Sequence, residues 1–215
     1  MLFRSDTLRI WLSRNGAEIR RGDVRDIQTN LTAPLVVQLT ESSLETDLVL
    51  IAAGAWSKTL AQRMGDRVLL ESERGYNMTI PRSGVALARE LIFSERKFVA
   101  APLSCGLRIG GAAEFGGLNA AANFERSRAL VRLARNYLPR LRTEGGISWA
   151  GHRPTTPDSL PVISRSKRNP KVIYAFGHGH LGFTQAATTG RLVSDLIFQR
   201  PPPIDMNPYS IERFA

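Results

Sequence analysis

The chain has 215 residues, of which 43% are hydrophobic, enough for one large domain or two small ones with a buried core. Its longest apolar stretch, residues 48–56, is far shorter than the roughly 20 residues that span a bilayer. No signal-peptide pattern is visible and there is one cysteine, Cys105, so the sequence predicts a cytoplasmic protein without an internal disulfide. Cys105 is predicted to be a small core residue.

The formal charge of +10 is the unusual feature of the composition. A module that binds nucleic acid or an anionic membrane is one hypothesis for such a charge. The basic residues are interleaved with acids, however, and three members of their densest group, Arg128, Arg132 and Arg135, fall on one helical face. We therefore predict a solvated helix face and no nucleic-acid partner, with weak attachment to the surface of the inner membrane as an alternative.

The N-terminal part of the chain is predicted to contain a helix that ends near Asn15, followed by three strands. These strands cover residues 17–28, 35–40 and 46–53, with turns at 30–34 and 41–43. The apolar run at 48–53 does not alternate with polar residues, which predicts a strand buried on both faces. A short helix from Lys58 follows.

The middle of the chain is β-rich, with turns marked by Gly, Pro and Ser, a pattern that favours an antiparallel sheet. Its predicted strands are 68–72, 76–80, 91–94, 97–103 and 107–113. A helix is predicted over 123–138. Residues 147–163 carry Pro154, Pro157 and Pro161 and are predicted to be irregular, since proline resists the interior of helices and sheets.

The C-terminal part combines a strand (171–176), a glycine-rich turn and a helix (181–198). The turn has the G-x-G-x-x-G spacing of a dinucleotide-binding loop. That fingerprint requires a further strand bearing an acidic residue, and the chain instead continues into Pro201 and an extended tail. We therefore interpret the turn as a device that aims a helix N-terminus at an electron-rich group. The alternative is that glycine is needed here only to form the turn between the strand and the helix.

The same turn contains His178 and His180, which with His152 raise the alternative of a zinc site. No carboxylate or cysteine stands at ligand spacing near them. The sequence therefore predicts no metal.

Four segments then occur in an order that carries a family resemblance. They are Val49-Leu-Ile-Ala-Ala-Gly54-Ala55-Trp56-Ser57, Glu73-Arg74-Gly75-Tyr76-Asn77, Trp149-Ala-Gly151-His152-Arg153-Pro154-Thr-Thr-Pro157-Asp158-Ser-Leu-Pro161 and Gly177-His-Gly179-His-Leu-Gly182-Phe-Thr184. Together they resemble the C-terminal half of the FAD-dependent D-amino-acid oxidase and dehydrogenase superfamily. The resemblance is greatest to the bacterial D-amino-acid dehydrogenase (small subunit).

The resemblance implies an α+β (mixed α/β) fold in two interleaved domains. Residues 1–66 and 148–200 would belong to an FAD-binding domain, 67–147 to a substrate domain with an antiparallel sheet, and 201–215 to an extended tail. Family members begin with a βαβ unit that binds FAD, and nothing before Ala17 resembles it. We therefore expect a truncated reading frame or fragment, with an oligomer or a complementing N-terminal half as its partner.

The activity implied is oxidative deamination of a D-amino acid to a 2-oxo acid and ammonia, by hydride transfer from Cα to N5 of FAD. The electron acceptor, quinone or oxygen, stays open. Action on sarcosine, glycine or an imino acid is one alternative, and a catalytically incomplete fragment is another.

The resemblance also implies the site. Arg153 would bind the substrate carboxylate, because a planar guanidinium grips a carboxylate with two parallel hydrogen bonds. An ion pair with Asp158 or another surface acid is the alternative. Tyr76 would line the substrate pocket or be a half-buried strand residue, and Trp56 would contact FAD or anchor the core. No catalytic base is assigned. The residues implied to bind FAD are Gly54, Ala55, Trp56, Arg74, Gly75, Gly177, His178, Gly179, Gly182, Phe183 and Thr184.

Overall fold

The computed structural model describes residues 2–29 and 34–214, which form two compact units that meet in sequence at Leu48 and Val49. The first unit contains helix α1 (Leu2–Arg14) and a three-stranded antiparallel sheet of β1 (Val24–Gln28), β2 (Leu35–Leu39) and β3 (Ser43–Thr46). The predicted first strand is thus shorter than expected, and β3 begins inside a predicted turn. Most of the predicted turn at 30–34 lies outside the described residues.

The second unit contains a small mixed sheet with strand order β10-β11-β4. Strand β4 (Val49–Ile51) runs parallel to β11 (Val172–Phe176), and β10 (Val162–Arg165) is antiparallel to β11. Helix α4 (Gly182–Ile197) packs on β10 and β11 through Leu192 and Val193. Leu50 of β4 is 41% exposed, so the prediction of a strand buried on both faces is wrong.

The larger sheet of this unit is antiparallel, with strand order β6-β7-β8-β5-β9. Its strands are β5 (Glu71–Ile80), β6 (Leu91–Phe93), β7 (Phe98–Leu103), β8 (Gly106–Phe115) and β9 (Ile147–Thr155). The short helix α2 (Ser57–Arg63) precedes it, and α3 (Glu125–Arg135) lies between β8 and β9. The predicted mixed α/β fold with an antiparallel sheet is confirmed.

Two predictions about this sheet are corrected. The two strands predicted at 68–72 and 76–80 are replaced by one continuous strand, β5, which begins at Glu71 and accommodates Gly75 in its interior. Of the region predicted to be irregular, 147–163, the first nine residues form the strand β9, and 156–161 are without helix or strand. Pro154 is tolerated there because β9 is an edge strand, where the missing N–H breaks no ladder hydrogen bond.

Helix α3 covers one face of the large sheet and leaves the other open. Met78, Ile80 and Ile109 pack against Leu130 and Val131 of α3. Arg128, Arg132 and Arg135 lie on the exposed side of α3, where Arg128 pairs with Glu125 at 2.6 Å. Alternation along the strands places every second residue of β5, β8 and β9 on the uncovered face.

Three other features complete the description. Cys105 is exposed in the turn between β7 and β8, so its assignment to the core was wrong. The predicted extended tail folds back from Asn207 in two short 3-10 turns, because Ile211 and Phe214 are buried and Arg213 pairs with Asp158 at 2.7 Å. No helix among the described residues combines the length and apolar composition needed to cross a bilayer.

Candidate functional site

A pocket of about 310 Å³ opens on the uncovered face of the large sheet. Its floor carries small residues of β7 and β8, and its polar groups come from β5, β8, β9 and the glycine-rich turn. The lining residues are Glu73, Tyr76, Asn77, Glu90, Val99, Ala101, Arg108, Gly110, Gly111, Ala113, Arg153 and His180. The pocket therefore brings the predicted substrate-binding arginine together with groups that the sequence analysis did not assign.

Arg153 reaches this pocket from the edge strand β9. It stands opposite Glu73 in the register of β5 and β9, and Gly151 stands opposite Gly75. The guanidinium of Arg153 lies over Gly75, where a Cβ would overlap Nη1, Nη2 and Cζ. The absence of a side chain at Gly75 thus creates the space that the guanidinium occupies.

Glu73 holds Arg153 in this position. Its Oε1 accepts a hydrogen bond from Nη1 of Arg153 at 3.4 Å and lies 2.9 Å from Nε2 of His180. Its Oε2 accepts a hydrogen bond from the hydroxyl of Thr155 at 3.2 Å. The alternative for Arg153 was an ion pair with Asp158 or another surface acid; Asp158 is paired with Arg213, and the acid beside Arg153 is Glu73, whose side chain is 13% exposed. Of the five N–H donors of Arg153, one is used by Glu73 within the described part of the chain, which leaves donors for a ligand carboxylate.

Tyr76 and Arg74 project from the other face of β5. The Tyr76 hydroxyl donates to Glu114 Oε2 at 2.5 Å and accepts from the backbone N–H of Asn123, and its side chain is buried. This hydrogen bond, with Arg126 and Arg74 nearby, lowers the pKa of Glu114. The structure therefore places the Tyr76 ring away from the pocket, to which this residue contributes through β5 itself.

The buried guanidinium of Arg74 is only partly satisfied. Nη2 donates to the carbonyl of Ala120 at 2.7 Å, and Nη1 lies 3.7 Å from Glu114. Nε and Nη1 have no hydrogen-bond partner among the described residues. A buried cation with unused donors is suited to a carbonyl-rich or anionic group.

His152 connects this face to the segment after β4. Its Nδ1 lies 2.6 Å from the Ser72 hydroxyl, and the Trp56 ring meets it edge-on at 5.4 Å. Burial and the charge of Arg74 lower the pKa of His152. Trp56 is 55% exposed, so it is not a core anchor, whereas the neighbouring Ala55 is buried. Gly54 begins the 3-10 turn there at a φ of 55°.

The glycine-rich turn lies beside Arg153. The Gly179 N–H donates to the carbonyl of Pro154 at 2.8 Å, and His178 forms a β-bridge with Thr155. Gly177 has a φ of 87°, which favours glycine, and Nε2 of His178 lies 3.0 Å from the Thr189 hydroxyl of α4. These contacts place the start of α4 next to the strand that carries Arg153.

The first turn of α4 presents unsatisfied donors. Its N-cap residue, Leu181, makes no side-chain cap hydrogen bond. The N–H groups of Gly182, Phe183 and Thr184 belong to the first turn, which has no intrahelical acceptors. Phe183 is 63% exposed beside them. This end of α4 therefore offers both hydrogen-bond donors and partial positive charge.

The alternative of a zinc site has no support from this geometry. His178 faces Thr189, and His180 pairs with Glu73. Among the described residues, no group of three or more His, Cys, Asp or Glu side chains is arranged to hold a metal ion.

Comparisons with known proteins identify the family. The family model described as FAD dependent oxidoreductase (DAO) matches residues 6–196. The chain belongs to this family. It is 34% identical over 204 residues to a protein named D-amino-acid oxidase from Bradyrhizobium diazoefficiens, a match that covers 93% of the chain and 48% of that relative. It is 33% identical over 184 residues to a D-amino acid dehydrogenase from Paramagnetospirillum magneticum, covering 82% of the chain and 42% of the relative.

Solved structures of the DAO family share this fold. The crystal structure of glycine oxidase from Geobacillus kaustophilus matches with a TM-score of 0.78 and 25% identity, over 90% of the chain and 52% of that protein. The chain thus spans about half the length of these DAO relatives. FAD is the cofactor named in the description of the family.

The residues present suit a flavin. Donors at the start of α4 and the exposed rings of Trp56 and Phe183 are the groups that a polar, planar, electron-rich ring system would contact. Gly177 and Gly179 keep the backbone of the turn free of side chains. We find no residue in this set whose chemistry opposes a flavin.

Sequence reasoning missed Glu73 and Asn77. Each lies two residues from Gly75 in β5 and therefore shares its face of the sheet. The sequence analysis missed this pattern because it predicted two separate strands in place of β5.

Proposed function

We propose that this chain forms the substrate-binding and flavin-covering part of an FAD-dependent oxidoreductase that deaminates D-amino acids. The main support is the Arg153 guanidinium, which is held by Glu73 in a pocket beside the donor-rich start of α4. In the reaction, a D-amino acid with a neutral amine would lose a hydride from Cα and become an iminium ion, which water hydrolyses to a 2-oxo acid and ammonium. FAD supplies the hydride acceptor, N5.

The protein side chains would bind and orient. Arg153 would hold the substrate carboxylate with two parallel hydrogen bonds, which fixes orientation as well as charge. The small residues Gly110, Gly111 and Ala113 leave room for a substrate in the pocket. No side chain is assigned as a base, because a substrate with a neutral amine needs none when the hydride leaves.

Several residues would hold FAD. The N–H groups of Gly182, Phe183 and Thr184 would face the electron-rich edge of the flavin ring, and Gly177, His178 and Gly179 would place that helix end correctly. Gly54, Ala55, Trp56, Arg74 and Gly75 would contribute the remaining contacts. In domain terms, we propose that 1–66 and 148–200 belong to the FAD-binding domain and 67–147 to the substrate domain, with 201–215 as a tail.

The chain's coverage of its relatives favours a second candidate. Because it spans about half of their length, catalysis would require a complementing dinucleotide-binding half. The exposed Leu50 and Phe183 are surfaces that such a half would cover. The related substrates glycine, sarcosine and imino acids stay alternatives to D-amino acids.

The test is an FAD titration of the chain, followed by flavin absorption and fluorescence. The loaded protein is then mixed anaerobically with D-alanine, L-alanine, glycine, sarcosine and proline. Bleaching of the flavin band by D-alanine, with stoichiometric pyruvate and ammonia, is expected. Bleaching by another substrate alone would replace the substrate assignment. Failure of Arg153→Ala to weaken the reaction would remove the role of Arg153.

Binding of FAD only after a dinucleotide-binding half has been added would favour the second candidate. Saturable binding by the chain alone would contradict it.

A further inference from the structure

We infer that Asn77 is a second substrate-binding residue, which receives the substrate amino group through its Oδ1. This inference rests on the proposed function and names a requirement for its substrate: an α-amino acid whose nitrogen keeps an N–H.

The first observation is an unsatisfied acceptor. Asn77 is 9% exposed, and its Oδ1 has no hydrogen-bond partner in the part of the chain that the structure describes. Leaving a buried polar atom unpaired costs about 1–3 kcal/mol, so such an atom on a residue that lines a pocket suggests a ligand that completes it. As a carbonyl oxygen, Oδ1 accepts N–H groups and does not pair with a carboxylate.

The second observation is location. Asn77 lines the same pocket as Arg153 and lies two residues from Gly75, over which the Arg153 guanidinium sits. Residues two apart on a strand share a face and are roughly 7 Å apart. An amino acid bound with one hydrogen bond of about 2.9 Å at its carboxylate and another at its nitrogen fits that spacing.

The third observation is the local backbone. The pairing of β5 with β8 shifts between Tyr76 and Asn77, so that Gly111 is the extra residue of a β-bulge. Bulges re-aim side chains and are common beside active sites. Gly110 lies opposite Asn77, and a Cβ there would stand 3.3 Å from the Cβ of Asn77. The absence of a side chain at Gly110 therefore leaves space beside the Asn77 side chain.

Arg153 and Asn77 together fix the orientation in which an amino acid binds in the pocket. The cationic group takes the carboxylate and the neutral acceptor takes the amine, which turns the Cα–H of one enantiomer toward one side of the pocket. A carboxylate without an amine would use Arg153 alone. Asn77 therefore affects amine recognition and leaves carboxylate recognition unchanged.

The experiment measures dissociation constants of D-alanine and of propionate for the full chain with FAD present, by ligand-observed NMR. Asn77→Leu removes the acceptor at similar volume and should weaken D-alanine by about fivefold to tenfold while leaving propionate within about twofold. Asn77→Asp keeps an acceptor and adds negative charge, so the preference for D-alanine over propionate should rise. Arg153→Ala should weaken both ligands.

Other outcomes overturn the inference. If Asn77→Leu weakens both ligands equally, Asn77 supports the pocket only through packing. If the two Asn77 variants leave the D-alanine to propionate ratio unchanged while Arg153→Ala weakens both, the amine role fails and the proposed function stands. If neither ligand binds the unmodified chain after FAD binding has been established, or if Arg153→Ala changes neither affinity, the proposed function fails and this inference fails with it.

Discussion

The guanidinium of Arg153 lies over the Cα of Gly75 on the neighbouring strand, in the space that a side chain would fill. The Arg153 guanidinium can therefore occupy this position only because Gly75 has no Cβ. Gly75 lies two residues before Asn77 on the same strand. Because Glu73 also stands opposite Arg153, β5 supplies both the space and the ion-pair partner. Gly75, which the family resemblance implies to contact FAD, therefore also determines where Arg153, the proposed substrate-binding residue, can lie.

Gly75→Ala should displace Arg153 without unfolding the protein. The added Cβ would meet the end of a flexible side chain, which can move, so stability should change by less than about 1 kcal/mol. Carboxylate binding should fall by about tenfold or more, because the guanidinium loses its position. Propionate titration and thermal melting measure the two effects.

Gly190→Ala is the matched control for Gly75→Ala. Gly190 lies within α4, and an added Cβ there has no neighbour within 4 Å. It should stabilise the helix by about 0.5–1 kcal/mol and leave propionate affinity unchanged. Unaltered propionate affinity in Gly75→Ala would contradict the positioning role.

Glu73→Gln should separate binding from turnover in the proposed reaction. Loss of the negative charge beside Arg153 strengthens its attraction for a ligand carboxylate, so simple carboxylates should bind more tightly. Arg153 and His180 lose their charged anchor, so kcat should fall by about tenfold. Steady-state kinetics give kcat, and inhibition by propionate gives the affinity for a simple carboxylate. If kcat and propionate affinity both fall, the predicted opposite effects on binding and turnover are wrong.

The stability of the chain should fall as the pH drops below about 6.5, the usual pKa of histidine. Burial lowers the pKa of His178, and burial with the charge of Arg74 lowers the pKa of His152. In that range the unfolded chain binds protons that the folded chain excludes, so the free energy of unfolding decreases toward acid pH.

Urea unfolding at several pH values measures this slope. His178→Gln should reduce it, since one of the two neutral histidines is then absent. An equal slope in the parent chain and the variant would show that His178 does not contribute.

Asp66→Asn should destabilise the second unit by about 1–3 kcal/mol. Asp66 is buried three residues after the end of α2, and its Oδ2 accepts hydrogen bonds from the hydroxyls of Ser166 and, at 2.7 Å, Tyr174. An amide at this position satisfies the two hydroxyls less well. Urea unfolding measures the change, with Glu41→Gln on the surface as the control. Equal stability of the two variants would contradict a structural role for Asp66.

The sequence predicted the elements whose signals are local. The helix at 123–138, the strand at 171–176 and the helix that follows it were found from periodicity, glycine and proline, and the structure has them as α3, β11 and α4. The sequence predictions failed where the pairing of strands outweighs the local preference of a residue. Pro154 fits in β9 because β9 is at the edge of the sheet, and Gly75 fits inside β5 because β5 is paired on both sides.

The sequence by itself determined the family, because four separated motifs in a set order need no coordinates to be found. It also pointed to Arg153. Only the tertiary structure decided which groups meet there: Glu73, Asn77 and Arg153 share one sheet face and one pocket, whereas Tyr76 and Arg74 project from the opposite face. The reason is physical. Which face a strand residue occupies depends on pairing with strands distant in sequence, and that pairing is not encoded in any local pattern.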